Sequence, residues 1–191
     1  MTPTMAEVRA PRRSATGVSN ATMALLFFMA AESTVFAGLG ASFNILRSQY
    51  SRWPPLGNPT LPVAATAVNT ALLFLSGLAC ERAARTRTQA DTVRWLGITF
   101  LLGGAFLVAQ GREWVSLIAF GLTASTVYGG LFYALVGTHA AHVLVSVVVL
   151  GFTLVNVQRG RWGLSEVGSF RAWWWFVVMV WPFIYWLVYL R

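Results

Sequence analysis

The chain has 191 residues, 57% of them hydrophobic and only 10% charged, whereas ordinary soluble domains carry roughly 25% charged residues. The basic residues number fourteen against six carboxylates, for a net charge of +8. They lie between apolar runs rather than in one patch, which excludes a nucleic-acid surface. A single cysteine, Cys80, excludes an internal disulfide framework and a multi-cysteine metal site.

Residues 1–19 are polar, with Arg9, Arg12 and Arg13 among Pro, Ala, Ser and Thr, and read as a disordered cytoplasmic lead-in. From residue 20 to 191 the chain reads as one transmembrane domain. The expected class is all-α, a polytopic membrane bundle of about five helices. The first apolar run, about Ala21 to Leu46, is too long for the core of a signal peptide and is expected to stay as an anchor. The second covers about Leu61 to Cys80, the third Val93 to Gln110, the fourth Tyr128 to Val157 and the fifth Phe170 to Leu190, each near the ~20 residues that a bilayer crossing needs. Val115 to Thr126 is also apolar but short, and reads as an interfacial segment or as the first turns of a long fourth helix.

Arginine placement sets the orientation. With the N-terminus inside, ten arginines fall on the inner side and four, Arg47, Arg52, Arg112 and Arg191, outside. Short cytoplasmic loops carry the basic excess, so the N-terminus is expected in the cytoplasm and the C-terminus in the periplasm or exterior. Trp53, Trp95, Trp114 and Trp162 stand at span ends, where indoles favour the headgroup zone.

Glu32 sits near the middle of the first span. Ionising a carboxyl there is costly, so it is expected to be neutral, paired or turned to a polar interior. It is either a proton-handling group or a neutral acid hydrogen-bonded between helices. His139 and His142, three residues apart, share one face of the fourth span, at about the depth of Glu32, which makes a Glu–His pairing geometrically open. Two ligands on one turn do not complete a metal site, and bis-histidine haem ligation needs histidines on facing helices. No metal or haem is therefore expected in this chain. Asn69 and Thr70, with Ser76 two turns on, are expected to bond across helices, as polar packing. Gln110 and Glu113 close the third span, Glu113 within reach of water. Ala37 with Ala41, and Gly130 with Gly137 and Ala141, are spaced for close helix approach.

Several stretches carry a more specific likeness. In order they are Glu32; Trp53-Pro54-Pro55-Leu56-Gly57; Asn69-Thr70 with Leu73 and Ser76; Leu102-Gly103 with Phe106, Gln110 and Glu113-Trp114; Tyr128-Gly129 with Phe132; Gly137-Thr138-His139-Ala140-Ala141-His142-Val143; and Trp173-Trp174-Trp175-Phe176-Val177 with Trp181 and Tyr185. Together they resemble subunit III of haem-copper cytochrome c and quinol oxidases, in its five-helix form, over about residues 20–190. The resemblance implies a helix bundle with a V-shaped, phospholipid-holding cleft, packed beside subunit I in a respiratory complex of the bacterial plasma membrane that also contains subunit II. It implies haem and copper in those partner subunits and none here. The implied role is supportive: assembly, proton uptake and protection of the catalytic subunit. Glu32 matches the family's intramembrane glutamate, and His139 and His142 its histidine pair. Arg159 and Arg161, in an inner loop, are expected lipid headgroup contacts.

The chain departs from the family where Trp-His-Phe-Val-Asp is usual, with Trp175 and Val178 in place of the His and the Asp, and where a second serine is usual, with Gly77. Thr138 replaces a Phe. These departures leave open a subunit-III-like accessory protein of nitric oxide reductases. From another class, a small ion transporter would use the buried carboxyl and histidines as an ion path, though the paired broken spans of inverted-repeat transporters are absent. Co-purifying subunits discriminate among these readings.

Overall fold

The computed structural model of the protein describes residues 19–191. The lead-in expected at residues 1–19 lies outside the described residues, apart from Ser19. Five long helices follow: α1 Asn20–Ser48, α2 Val63–Arg85, α3 Gln89–Ala119, α4 Val127–Gln158 and α5 Leu164–Tyr185, the last running into a π-helical turn, Trp186–Leu190. Among the described residues there is no strand, and all five helices are long and apolar enough to cross a membrane. The fold is an all-helical membrane bundle.

The helix ends follow from local chemistry. The Ser19, Thr88 and Thr126 side chains accept from the backbone N–H three residues on, capping α1, α3 and α4, and the Gly163 N–H donates to Glu166 at the start of α5. These bonds satisfy donors that have no partner within the helix. At the end of α3 the Leu122 N–H reaches the Leu117 carbonyl and the Gly121 N–H reaches Ile118, with Gly121 at φ +93. That left-handed glycine closes a Schellman motif. The expectation for Val115 to Thr126 is thereby corrected. Val115–Ala119 are the last turn of α3, and residues 120–126 are a turn between Gly121 and the Thr126 cap. Gly160 closes α4 in the same way.

α2 and α3 form an antiparallel pair joined by a tight link. α5 lies against α2 and α4, while α1 rests at the periphery against α4 and α5. Only 11% of the most apolar stretch of α1 is buried, against 44% for the last span, so α1 depends on few attachments. The core holds Phe106, Phe132, Trp174 and Trp181 with Phe43 of α1, all fully buried. Phe27, Leu101, Val108 and Phe152 point outward, as side chains in lipid do without penalty.

The close approaches fall on glycines. A Cβ on Gly40 would lie 3.0 Å from the Phe183 ring, one on Gly103 3.0 Å from Trp174, and one on Gly77 3.1 Å from Trp175. Ala37, Ala41 and Ala141, expected at such contacts, are exposed. The rotation of α1 and α4 turns them to the outside of the bundle, which spacing alone does not specify.

Candidate functional site

Three polar assemblies hold the helices together, one near the middle of the bundle and one toward each end. The central one joins α1 to α4. Glu32 Oε2 lies 3.0 Å from His142 Nε2, and His142 Nδ1 lies 2.7 Å from the Thr138 carbonyl one turn back. A carbonyl only accepts, so Nδ1 carries a hydrogen. One proton then lies between Glu32 Oε2 and His142 Nε2. Whether drawn as acid and imidazole or as carboxylate and imidazolium, the pair has no net charge. The two side chains are 20% and 18% exposed, so they sit at the flank of the bundle where α1 meets α4. Phe36 packs against both histidines and Trp173 against His142.

Glu32 pairs with His142 and not with His139. His139 is fully buried and stacked on Trp181, with ring centroids 5.0 Å apart, and Phe106 meets it edge-on. Neither of its nitrogens finds a hydrogen-bond partner among the described residues. Three residues apart on one helix, the histidines serve different neighbours. Among the described residues no three His, Cys, Asp or Glu side chains gather where a metal ion could sit.

A second assembly lies at the far end of α2 and α3. Glu113 accepts from the Thr66 hydroxyl at 2.9 Å and from the Tyr189 hydroxyl at 2.7 Å, so both carboxyl oxygens are engaged. Asn69 Nδ2 donates to Gln110 Oε1 at 3.2 Å, and Trp181 Nε1 donates to the Thr70 hydroxyl at 2.9 Å. Glu113 is thus no simple solvated helix end. It joins α2, α3 and the chain's last turn, because α5 brings Tyr189 back over it. Thr66 and Tyr189 escape sequence reading. The only signal is Thr66 lying one turn before Thr70.

The third assembly also has no sequence signal beyond its charges. Glu81, at the Arg82 end of α2, accepts from Arg85 at 2.7 Å, from Arg171 at 3.2 Å and from the Trp175 indole at 3.1 Å. Between these ends, Trp173 Nε1 donates to Ser146 at 2.8 Å and Trp174 Nε1 to Ser76 at 3.2 Å. Four tryptophans of α5 therefore spend their N–H groups on α2 or α4. Such interhelical bonds average about 0.6 kcal/mol each in a membrane, and here they fix the rotation of α5. Arg159 and Arg161 sit in the α4–α5 loop, both exposed. A groove of about 530 Å³ separates the start of α1 from α4 and α5, lined among others by Thr22, Leu25, Thr153, Phe170 and Trp173.

The fold and these interhelical polar bonds define a multi-pass membrane bundle of five helices. The family model for cytochrome c oxidase subunit III matches residues 14–191, and the chain belongs to that family. A cytochrome c oxidase subunit 3 of Synechocystis sp. is 32% identical over 173 residues, covering 87% of this chain and 73% of its own length. One from Bacillus subtilis is 32% identical over 173 residues, covering 85% and 82%. One from Thermostichus vulcanus is 28% identical over 176 residues, covering 88% and 86%. The protein is a multi-pass membrane subunit III of a haem-copper oxidase, in complex with other oxidase subunits.

Proposed function

We propose that the chain is a non-catalytic support for the redox subunits of its oxidase, holding subunit I in its assembled, proton-competent form beside subunit II. The Glu32–His142 bond carries this reading. The one carboxyl near the middle of the bundle is spent on attaching the otherwise weakly held α1, and both nitrogens of its partner are engaged. On this reading haem and copper belong to the partner subunits. The complex sits in the bacterial plasma membrane with the N-terminus of this chain in the cytoplasm, as the arginine distribution supports. Phospholipid lies in the groove between α1 and α5, with Arg159 and Arg161 at its headgroup level.

Gentle purification tests the proposal. The chain is expected to bring a haem- and copper-containing subunit with it, and the separated chain to carry neither. Stoichiometric haem or copper on the separated chain would overturn it. Orientation is tested by Met5→Cys and Leu190→Cys, labelled in intact and permeabilised cells. The first is expected to react only after permeabilisation and the second in both.

A further inference from the structure

The central Glu32–His142 pair leaves one oxygen unused. Glu32 Oε2 faces His142 Nε2, but Oε1 has no hydrogen-bond partner among the described residues. Unlike the sealed nitrogens of His139, Oε1 keeps accessible surface, so a donor from outside the chain can reach it. Glu32 stands at the edge of the packed face of α1. One turn away on one side, Met29 is half-buried and Phe36 buried, whereas on the other Phe28 and Val35 are about half exposed. Neither Glu32 nor His142 lines the groove toward α5.

Depth and charge narrow what can cover this oxygen. An unpaired acceptor facing hydrocarbon is costly. Near the middle of α1, it stands about 15 Å from either headgroup layer, and acyl chains carry no donor. A second copy of this chain across a two-fold axis would set Oε1 against Oε1, acceptor against acceptor. A lysine or arginine would add an uncompensated charge to a pair that has none overall, which the middle of a bilayer disfavours. A neutral hydroxyl or N–H on a transmembrane helix of a neighbouring oxidase subunit meets every condition. The surface beside Glu32 leaves room for that helix. Ala31, Val35, Gly38 and Ser42, spaced by four, three and four, share one exposed stripe, and Gly38 has open space where a side chain would stand. Small residues permit close helix approach.

We propose that α1 docks one transmembrane helix of a neighbouring oxidase subunit, which donates a neutral hydroxyl, indole or amide hydrogen to Glu32 Oε1. The carboxyl then bridges two chains. Oε2 holds α4 through His142, and Oε1 holds the neighbour. The sparse burial of α1 within its own chain, 11% of its most apolar stretch, leaves the face that this contact uses. The contact requires no proton movement by Glu32, so it holds whether or not the subunit supports proton uptake.

Photocrosslinking in the purified complex tests this. With p-benzoylphenylalanine in place of Val35, irradiation is expected to join this chain to a neighbouring subunit, at a peptide carrying Ser, Thr, Tyr, Trp, Asn or Gln within one helical turn of the joined residue. Capture of lipid alone, or of a peptide without such a donor, would overturn the proposal. A Cβ at residue 38 meets nothing in this chain, so Gly38→Leu is expected to keep Cys80 protected from alkylation. It should nonetheless lower retention of the neighbour in detergent by about tenfold. Unchanged retention with the fold kept would count against the docking face. With the joined peptide known, truncating its donor and Glu32→Ala are expected to couple by about threefold in retention, and strictly additive effects would refute the hydrogen bond.

Discussion

Replacing Glu32 by glutamine and by alanine separates a structural carboxyl from one that moves protons. The glutamine amide can donate to His142 Nε2 across the same gap, now 3.0 Å, so the interhelical bond survives. Its cost is expected below about 1 kcal/mol. Alanine removes the partner and leaves Nε2 of a mostly buried imidazole unbonded, a cost of about 1–2 kcal/mol. Because only 11% of the apolar stretch of α1 is buried, that loss falls on an element with few other attachments. Cys80, the single cysteine, is fully buried, so its alkylation against temperature, followed by mass spectrometry, reports opening of the bundle. The expected order is wild type, then Glu32→Gln close behind, then Glu32→Ala lower by several degrees at about 2–4 °C per kcal/mol. Subunit retention should follow the same order. Alanine and glutamine equally harmful would refute the hydrogen-bond account. A Glu32→Gln complex that assembles fully but loses most of its turnover would show that the carboxyl handles protons.

Glu81→Ala strips acceptors from Arg85, Arg171 and Trp175 together, and is expected to destabilise the α2–α5 contact by about 1–3 kcal/mol. Earlier Cys80 alkylation on heating is the readout. Ser76→Ala leaves the fully buried Trp174 indole without its acceptor, and is expected to cost about 1–2 kcal/mol in the same assay, with Ser76→Thr closer to wild type. Gly129→Ala drives a methyl into the Thr123 carbonyl, so the α3–α4 turn must shift. Assembled subunit should fall below detection at growth temperature, whereas Gly111→Ala, which meets open space, should assemble normally.

The helices are legible because each is a long apolar run bounded by arginines, glycines or capping hydroxyls. The end of α3 is misread only where Gly121 is taken as part of an apolar stretch instead of a left-handed cap. Glu32 and the histidines stand out because polar side chains at depth are rare, but which histidine meets Glu32 depends on how α4 is rotated. Spacing of three places both on one face and cannot choose between them. Glu113 and Glu81 look like ordinary helix-end acids, since the hydroxyl, guanidinium and indole donors that engage them arrive from helices distant in sequence. Their partners are set by tertiary rotation and register, which no local pattern encodes.

The contact between Gly77 and Trp175 links two departures from the subunit III pattern that look independent along the chain. With an ideal Cβ on residue 77 only 3.1 Å from the indole, a serine there and a tryptophan at 175 compete for one volume. Removing the side chain at 77 makes the room, and the tryptophan that fills it still reaches Glu81 with its N–H. The two positions are therefore sterically coupled, and a Cβ at residue 77 requires the Trp175 indole to give by a few tenths of an ångström.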